Sequence, residues 1–246
     1  RRAELIDATP IGANVRSTVA TYSGVLDLLR RSYAKAPEAR AHHWGVGAFS
    51  YNTGELRCPL CDGTGEIDLD VQFLPDVRIE CPECHGTRYS PKANEVPLPL
   101  LHGGQGPSLP ALMGMTVDEA KEATRGLTGV QRKLSQLQEL GLGYLHLGEG
   151  TTELSEGEAQ RLKLASELGR PQEDALFAFD EPSIGLHPLD VKRLLAVFDK
   201  LTEAGATLVV IEHDRELIAN ADWVIDLGPG GGEEGGRIVA EGTPWQ

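Results

Sequence analysis

The sequence predicts a mixed α/β fold with a parallel sheet at its core, an inserted helical region and a small metal-binding module. Apolar strand-like runs alternate with helical patterns from Ala175 onward, and this order requires a parallel sheet with right-handed crossovers. All four cysteines fall in two closely spaced pairs in the first half of the chain. A hydrophobic fraction of 40%, with 29 glycines among 246 residues, is typical of a globular protein with a sizeable core.

Composition excludes several other classes of protein. The sequence has no run of 18 apolar residues, so we expect no membrane-spanning helix and no membrane partner. The first residues, RRAELIDATP, lack the apolar stretch of a secretory signal. Four cysteines in a chain of this length do not form a disulfide scaffold, which indicates a reducing, cytoplasmic location.

The net charge of −14 is unevenly distributed. Residues 1–57 carry 8 basic and 5 acidic side chains, residues 58–140 carry 7 and 12, and residues 141–246 carry 8 and 20. Such an acidic chain is a poor candidate for binding nucleic acid over its whole surface, so any DNA contact should come from the first half. The alternative is that the acidity serves only solubility.

The elements of the first half are read from apolar spacing and from glycine and proline. The residues Val25, Leu26, Leu28, Leu29 and Tyr33 fall on one side of a predicted helix. Residues 45–54 are predicted as a loop and a short strand. Residues 93–112, ANEVPLPLLHGGQGPSLPAL, contain four prolines and three glycines and are predicted as a loop or linker.

Two capping boxes mark helices further along the chain. Thr116 with Glu119, and Ser155 with Glu158, have the spacing of an N-cap and its reciprocal partner. A helix over residues 131–141 should end at Gly141.

The second half alternates strands and helices. ALFAF at 175–179 is a wholly apolar strand, suited to burial on both faces. Helices are predicted over 187–205 and 214–221, with further parallel strands over 207–213 and 222–228. Residues 231–244 are predicted as a turn and an edge hairpin.

The cysteines have the spacing of a zinc site. Cys58 and Cys61 form one CxxC pair, and Cys81 and Cys84 form a second, with 19 residues between the pairs. Two such knuckles offer four sulfurs to one tetrahedral Zn²⁺, and the intervening residues suit a hairpin. Two disulfides or four unrelated thiols are the alternatives. His85 adjoins the site, and we expect it outside the ligand set because four thiols already close it.

A group of polar residues follows the predicted strands. Asp180 and Glu181 end the strand ALFAFD, where ligands of a parallel sheet bind. Asp180 could hold Mg²⁺ through its waters, and Glu181 could orient and deprotonate an attacking water. His213 ends the next strand and could donate to a phosphate oxygen. Gly185 lies in the loop after Glu181.

Upstream, LSEGEAQ places Ser155, Gly157 and helix N-terminal amides together as an anion site. Taken singly, each of these features has a structural alternative, such as a helix cap or a strand-end histidine.

These motifs carry a family resemblance. LSEGEAQR, LFAFDEPSIGLH and VVIEHD resemble the signature, Walker B, D-loop and H-loop segments of ABC-type ATPases. With a four-cysteine module before the signature helix, the chain resembles the C-terminal half of the UvrA family of DNA-repair proteins. The other segments that carry the resemblance are Pro10–Gly12, Ala20–Gly24, Phe49–Asn52, Phe73–Asp76, Gly86–Tyr89, Met115–Ala120 and Gly141–Gly148.

The resemblance implies a function. It implies ATP-dependent recognition of damaged duplex DNA in nucleotide excision repair, with ATP or ADP, Mg²⁺ and Zn²⁺ as cofactors. Glu181 and His213 would be catalytic, and Asp180 would hold Mg²⁺. The ATP-binding residues would be Ser155, Gly157, Glu158, Asp180, Glu181, Gly185 and His213. The implied partners are a second ATPase half, a homodimer partner and UvrB, the next component of the excinuclease.

The sequence also departs from the family. No GxxxxGK[ST] phosphate loop occurs, so we expect this chain to be one segment of a longer protein and inactive alone. Ala8 replaces a glutamine and Glu156 a glycine, while Ala13 and Val15 replace an arginine and a proline. These changes indicate a divergent paralogue. A transporter ATPase subunit and a non-hydrolysing paralogue linked to drug tolerance remain alternatives.

Four domains are predicted. Residues 1–45 would begin the nucleotide-binding domain, 46–95 form the zinc module, 96–150 the helical signature region and 151–246 the ATPase core. DNA contacts are predicted at Arg57, Phe73 and Arg78, beside or within the zinc module, with the alternative that Phe73 only packs its small core.

Overall fold

The computed structural model describes residues 2–7, 9–11, 14–69, 77–100, 104–230 and 235–245. It divides the chain into two compact units: Arg1–Ala8 with Pro171–Gln246, and Thr9–Arg170. The first is called the sheet unit and the second the helical unit. The helical unit is thus inserted in the sequence between the first strand and the rest of the sheet unit.

The strands and helices are bounded as follows. The strands are β1 (Arg2–Ile6), β2 (Glu66–Leu69), β3 (Val77–Glu80), β4 (Pro97–Pro99), β5 (Gln105–Ser108), β6 (Ala175–Asp180), β7 (Thr207–Ile211), β8 (Val224–Leu227) and β9 (Ile238–Gly242). The helices are α1 (Val19–Tyr22), α2 (Val25–Tyr33), α3 (Pro37–Ala41), α4 (Leu109–Met113), α5 (Val117–Ala123), α6 (Thr128–Glu139), α7 (Glu156–Glu167), α8 (Pro188–Glu203) and α9 (Arg215–Ala219). A 3-10 helix covers Pro91–Glu95.

The sheet unit is built on a three-stranded parallel sheet in the order β1-β6-β7. The phenyl rings of Phe179 on β6 and Phe198 on α8 lie 4.7 Å apart, so α8 packs on one face of the sheet. The predicted α/β class with a parallel sheet is therefore confirmed.

Burial on both faces of β6 was a wrong prediction. Burial alternates along the strand: Phe177 and Phe179 are buried, whereas Leu176 is 39% exposed. The neighbouring strands expose Leu5 and Val209 in the same way. A continuous apolar run fits either arrangement, because it does not encode whether a second layer covers the other face.

The predicted third parallel strand was also wrong. β8 pairs antiparallel with β9 in a separate two-stranded sheet. The third member of the parallel sheet is β1, whose residue Arg2 is in register with Ala175. A short apolar run indicates a strand but not its partner. The edge hairpin predicted over 231–244 is wrong as well, because the strand described there, β9, pairs with β8, which precedes that range.

The helical unit follows local sequence signals closely. The helix predicted from the apolar spacing of Val25 to Tyr33 is α2, with Val25, Leu29 and Tyr33 fully buried. Thr116 and Ser155 cap α5 and α7 with both bonds of a capping box. The helix predicted over 131–141 begins earlier, at Thr128, and ends before Gly141, which has a left-handed φ of 73°.

Two loop predictions in this unit need correction. The described residues of this range, 93–100 and 104–112, form the end of the 3-10 helix, the paired strands β4 and β5, and most of α4. Prolines are tolerated there, since Pro97 and Pro99 flank the buried Leu98 in a short two-stranded pair and Pro110 lies in the first turn of α4.

Residues 45–54 form successive turns and no strand. Backbone hydrogen bonds such as Gly54 N–H to the Ser50 carbonyl, at 2.7 Å, close those turns. Among the residues that the structure describes, no helix is both long and apolar enough to cross a membrane.

Candidate metal centre and nucleotide-binding site

The four cysteines converge on one point in the helical unit. Their Sγ atoms all lie within 4.8 Å of one another, and all four side chains are buried. The Cys58–Cys81 and Cys61–Cys84 sulfurs are 3.8 and 3.6 Å apart, and none is in a disulfide. Zn–S bonds of ~2.3 Å place tetrahedral ligands ~3.8 Å apart. The donor set and spacing therefore fit Zn²⁺, as the sequence predicts, and the disulfide alternative is wrong.

The two knuckles repeat each other. Asp62 and Gly63 follow Cys61 with φ of 53° and 77°, and His85 and Gly86 follow Cys84 with φ of 48° and 72°. In each knuckle the next residue, a threonine, donates its hydroxyl to the preceding cysteine carbonyl at 2.7 Å. A Cβ on Gly63 would lie 1.8 Å from the Tyr51 carbonyl oxygen, so only glycine fits there.

The thiols differ in their electrostatic surroundings. Burial raises the pKa of Cys58 and of Cys84. Burial acts in the same direction on Cys61, but the Gly65 amide, 3.3 Å from its sulfur, and the neighbouring thiols lower the pKa of Cys61 to about 7. His85 lies outside the four-thiol group, with Nδ1 3.6 Å from Glu80 and its side chain 77% exposed.

The hairpin predicted between the knuckles is present. β2 and β3 pair antiparallel, with Asp68 opposite Arg78. The Arg78 Nε is 3.3 Å from the Asp68 carboxylate, so the predicted DNA contact already has an acidic neighbour. Phe73, predicted at the tip, lies outside the described residues.

Arg57 is paired as well. Its Nη1 lies 2.8 Å from the Asp62 carboxylate, and Arg16 approaches the same carboxylate at 3.4 Å. Arg16 also donates to the Asp62 carbonyl at 2.8 Å. The first knuckle thereby holds the segment around Arg16.

Arg88 does the same from the second knuckle, and sequence reasoning missed it. It is 7% exposed, adopts a left-handed φ of 71°, and donates to the Val15 carbonyl at 3.1 Å. Its guanidinium lies 5.4 Å from the Tyr51 ring centroid. Its position, matching Gly65 of the first knuckle, is the signal that could have drawn attention to it.

In the sheet unit, the ends of β6 and β7 bring Glu181 and His213 together. The His213 Nδ1 lies 3.8 Å from the Glu181 carboxylate, and both side chains are accessible, 77% exposed for His213 and 45% for Glu181. Glu181 has a left-handed φ of 46°, a strained conformation for a residue with a side chain. Its amide donates to the Ile211 carbonyl at 2.9 Å, which fixes it against β7.

The other predicted residues of this edge follow the same turn. Asp180 ends β6 and is exposed. Gly185 has φ of 70° and is also exposed, and no atom lies within 4 Å of the place that a Cβ would occupy there.

Glu212, which sequence reasoning also missed, lies between the two turns. Its side chain is 3% exposed and accepts three backbone N–H groups, from Ser183 at 2.8 Å, His213 at 2.7 Å and Asp214 at 2.9 Å. Burial acts against ionisation, but the bonds from Ser183 and the other two amides outweigh it and lower the pKa of Glu212.

The predicted anion site in the helical unit is the N-terminus of α7. Ser155 is exposed, and its amide and hydroxyl donate to the Glu158 carboxylate at 2.8 and 2.7 Å. Tyr144 donates to the other oxygen of Glu158. Partial burial acts against ionisation, but the bonds from Tyr144 and Ser155 outweigh it and lower the pKa of Glu158.

The family departures fall in different places. Gly157 is buried, while Glu156 is exposed at the first position of α7. Ala8 and Ala13 lie outside the described residues.

Comparison with known proteins places this geometry in context. The chain is 47% identical over 240 residues to UvrABC system protein A of Thermus thermophilus, covering 97% of this chain and 25% of that protein. It is 45% identical over 240 residues to the protein of the same name from Haemophilus ducreyi, with coverages of 97% and 25%. No protein-family model matches the chain.

A solved structure supports the same relationship. UvrA2 from Deinococcus radiodurans superposes with a TM-score of 0.90 at 43% identity, over 100% of this chain and 29% of that one. The resemblance inferred from the motifs is thereby confirmed. The chain belongs to the UvrA family, as a segment that spans about a quarter of the length of the curated relatives it matches.

Proposed function

We propose that the chain works as part of a UvrA-like protein that recognises damaged DNA in nucleotide excision repair and hydrolyses ATP. The observation that carries this proposal is the paired carboxylate and imidazole of Glu181 and His213, 3.8 Å apart at the carboxyl ends of two parallel strands. Ligands of open parallel sheets bind at this edge. The full-length relatives carry the name UvrABC system protein A, which supports the same function.

Each residue of the sheet unit has a separate task in this proposal. Glu181 orients a water and accepts its proton, and its accessible carboxylate suits that role. His213 donates a hydrogen bond to a phosphate oxygen as charge develops there. Asp180 would hold Mg²⁺, and Gly185 allows the following loop its left-handed turn. Bound ATP with Mg²⁺ would supply the phosphoryl group and neutralise its charge.

The helical unit contributes differently. The exposed Ser155 and the first amides of α7, with Gly157 and Glu158, would contact ATP held by another ATPase half. Zn²⁺ on the four cysteines would fix both knuckles and, through the bonds of Arg16 to Asp62 and of Arg88 to Val15, the segment around Arg16. We further propose the predicted domain boundaries 1–45, 46–95, 96–150 and 151–246, and a cytoplasmic location.

The proposed partners are damaged duplex DNA, a second ATPase half, a homodimer partner and the excinuclease component UvrB. DNA is proposed to contact the zinc module at Arg57, Arg78 and Phe73. The isolated chain should be inactive, because the sequence contains no phosphate-loop motif.

The test is ATP turnover by the full-length protein with no DNA, intact duplex or damaged duplex. Turnover that responds more strongly to damaged than to intact duplex supports the proposal. Turnover indifferent to DNA and dependent on a membrane partner would support a transporter subunit. Nucleotide and DNA binding without turnover would support a non-hydrolysing paralogue.

A further inference from the structure

The carboxylate of Glu212 ties together the two turns that carry Glu181 and His213. One oxygen accepts the Ser183 amide in the turn after β6, and the other accepts the amides of His213 and Asp214 in the turn after β7. Each bond is 2.9 Å or shorter. Bonds from N–H donors to an ionised acceptor are roughly twice as strong as neutral ones.

The position of this carboxylate in the fold gives the tie its effect. β6 and β7 are adjacent, with Asp180 in register with Ile211. Beyond that point the strands diverge into separate turns, and the last direct backbone bond between them is Glu181 N–H to the Ile211 carbonyl. The Glu212 side chain extends the connection past the end of the sheet.

The tie also fits the electrostatics of the pair. The His213 Nδ1 lies 3.9 Å from Glu212 and 3.8 Å from Glu181, so the imidazole faces one buried and one accessible carboxylate. Glu212 is shielded from a substrate, because its side chain is 3% exposed and both of its oxygens face backbone donors.

We propose that Glu212 is a positioning residue, which holds the Glu181 turn and the His213 turn in the relative orientation needed for ATP hydrolysis. This inference rests on the proposed function. Glu212 does not touch the reacting atoms and acts through the two residues that do.

The first experiment follows hydrogen exchange in the full-length protein without nucleotide, in peptides covering 181–186 and 211–216. In Glu212→Ala the amides of Ser183, His213 and Asp214 should exchange about tenfold faster or more, because all three lose their acceptor. The matched control is Glu216→Ala, which removes a carboxylate that is 39% exposed and pairs with Lys192 at 4.0 Å. Unchanged exchange in Glu212→Ala would overturn the tie.

A gentler variant covers the case in which Glu212→Ala does not fold. Glu212→Gln keeps the size of the side chain but has one acceptor oxygen instead of two. It should therefore retain protection at one turn and lose it at the other. Full protection at both turns in Glu212→Gln would contradict the proposal.

The second experiment is a double-mutant cycle on ATP turnover. Glu212→Ala should lower kcat about 10- to 100-fold while changing KM less than about threefold. In a His213→Ala background, Glu212→Ala should lower kcat by less than about a further threefold, since the residue to be positioned is gone. If Glu212→Ala lowers kcat by the same factor with and without His213, Glu212 only stabilises the fold and does not position His213.

The two hypotheses fail separately. If the wild-type full-length protein does not hydrolyse ATP, the proposed function is wrong, and hydrogen exchange still decides whether Glu212 ties the turns. If turnover is normal and the cycle is multiplicative, the function stands and the positioning role is wrong.

Discussion

At the residue scale, Glu181 shows how a site combines backbone strain with access. Its φ of 46° costs of order 1 kcal/mol or more. The hydrogen bond from its backbone N–H to the Ile211 carbonyl holds it in that conformation. The strain places a carboxylate on the accessible side of the turn, 3.8 Å from His213.

Glu181→Gln in the full-length protein should therefore leave ATP binding intact and lower kcat about 100-fold or more, because an amide does not accept the proton of the attacking water. His213→Ala should slow turnover through loss of a donor. Nucleotide titration and steady-state kinetics measure both, and unimpaired turnover in Glu181→Gln would exclude the assigned role.

The knuckle glycines give a second test at this scale. Gly63→Ala should destabilise the zinc module by about 3 kcal/mol or more, since the new Cβ would lie 1.8 Å from the Tyr51 carbonyl oxygen. Gly86→Ala is the matched control. It has a similar φ of 72° but no atom nearer than 3.8 Å, so only the left-handed strain of about 1–2 kcal/mol applies. Chemical denaturation of both variants with zinc present compares them, and equal losses would refute the steric explanation.

Single residues were predictable where their chemistry is local. The four cysteines carry their own spacing, and the metal site follows from it without knowledge of the fold. Glu212 was missed because its role exists only once β6 and β7 are adjacent, which brings Ser183 within 2.8 Å across 29 positions of sequence. The same holds for Asp68, which faces Arg78 only through the hairpin register.

At the element scale, the zinc module should behave as a single metal-dependent piece. We expect about one Zn²⁺ per chain on Cys58, Cys61, Cys81 and Cys84, because their sulfur separations match a tetrahedral site. Metal analysis of the purified protein measures the stoichiometry. Removal of zinc by a chelator should unfold the β2–β3 hairpin and release the segment around Arg16, which proteolysis would detect. A zinc-free protein with the same protease resistance would contradict a structural metal.

The α7 capping box makes a pH-dependent contribution. The folded-state pKa of Glu158 lies below its ordinary value of 4.5, so its stabilisation is present above that pH and is lost as the pH falls through the lower folded value. Glu158→Gln should flatten the acid side of the stability curve, and Ser155→Ala should cost about 1 kcal/mol. Thermal melts between about pH 3 and 6 test this, with the exposed Glu153→Gln as control. If Glu158→Gln lowers the melting temperature equally at all pH values, the titration of Glu158 does not contribute to stability.

Elements with local start and stop signals were predicted well, and strand partners were not. The caps at Thr116 and Ser155 and the stop at Gly141 are encoded within a few residues. β8 was assigned to the wrong sheet, because a short apolar run specifies that a strand exists but not which strand it pairs with. The prolines of β4 led to the prediction of a loop, although β4 pairs with β5. Proline has no N–H to donate, but it is tolerated in a short edge strand.

At the scale of the whole molecule, both units are acidic, and the sheet unit carries most of the excess negative charge. The sheet unit, residues 1–8 and 171–246, includes 17 acidic and 7 basic side chains, whereas the helical unit includes 20 and 16, so duplex DNA should avoid the surface of the sheet unit. The helical unit contains the arginines proposed to contact DNA, although each has an acidic neighbour.

These ion pairs make the DNA proposal testable with changes of opposite sign. Arg78→Ala should weaken duplex binding and reduce its dependence on salt concentration, since one phosphate contact is lost. Asp68→Asn should strengthen binding, because it leaves the Arg78 guanidinium without a competing carboxylate at 3.3 Å. Binding isotherms of the full-length protein at several salt concentrations measure both. If neither substitution changes affinity while zinc remains bound, the β2–β3 hairpin is not a DNA contact.

The insertion of the helical unit between β1 and β6 sets the order of events during synthesis. β1 leaves the ribosome first, but its partner in register with Arg2 is Ala175. At a translation rate of roughly 5–20 residues per second, roughly 10–35 s pass between the synthesis of β1 and that of β6. Every residue of the helical unit, including the four cysteines, emerges within that interval. The four thiols are therefore available to bind zinc before the β1-β6-β7 sheet can form.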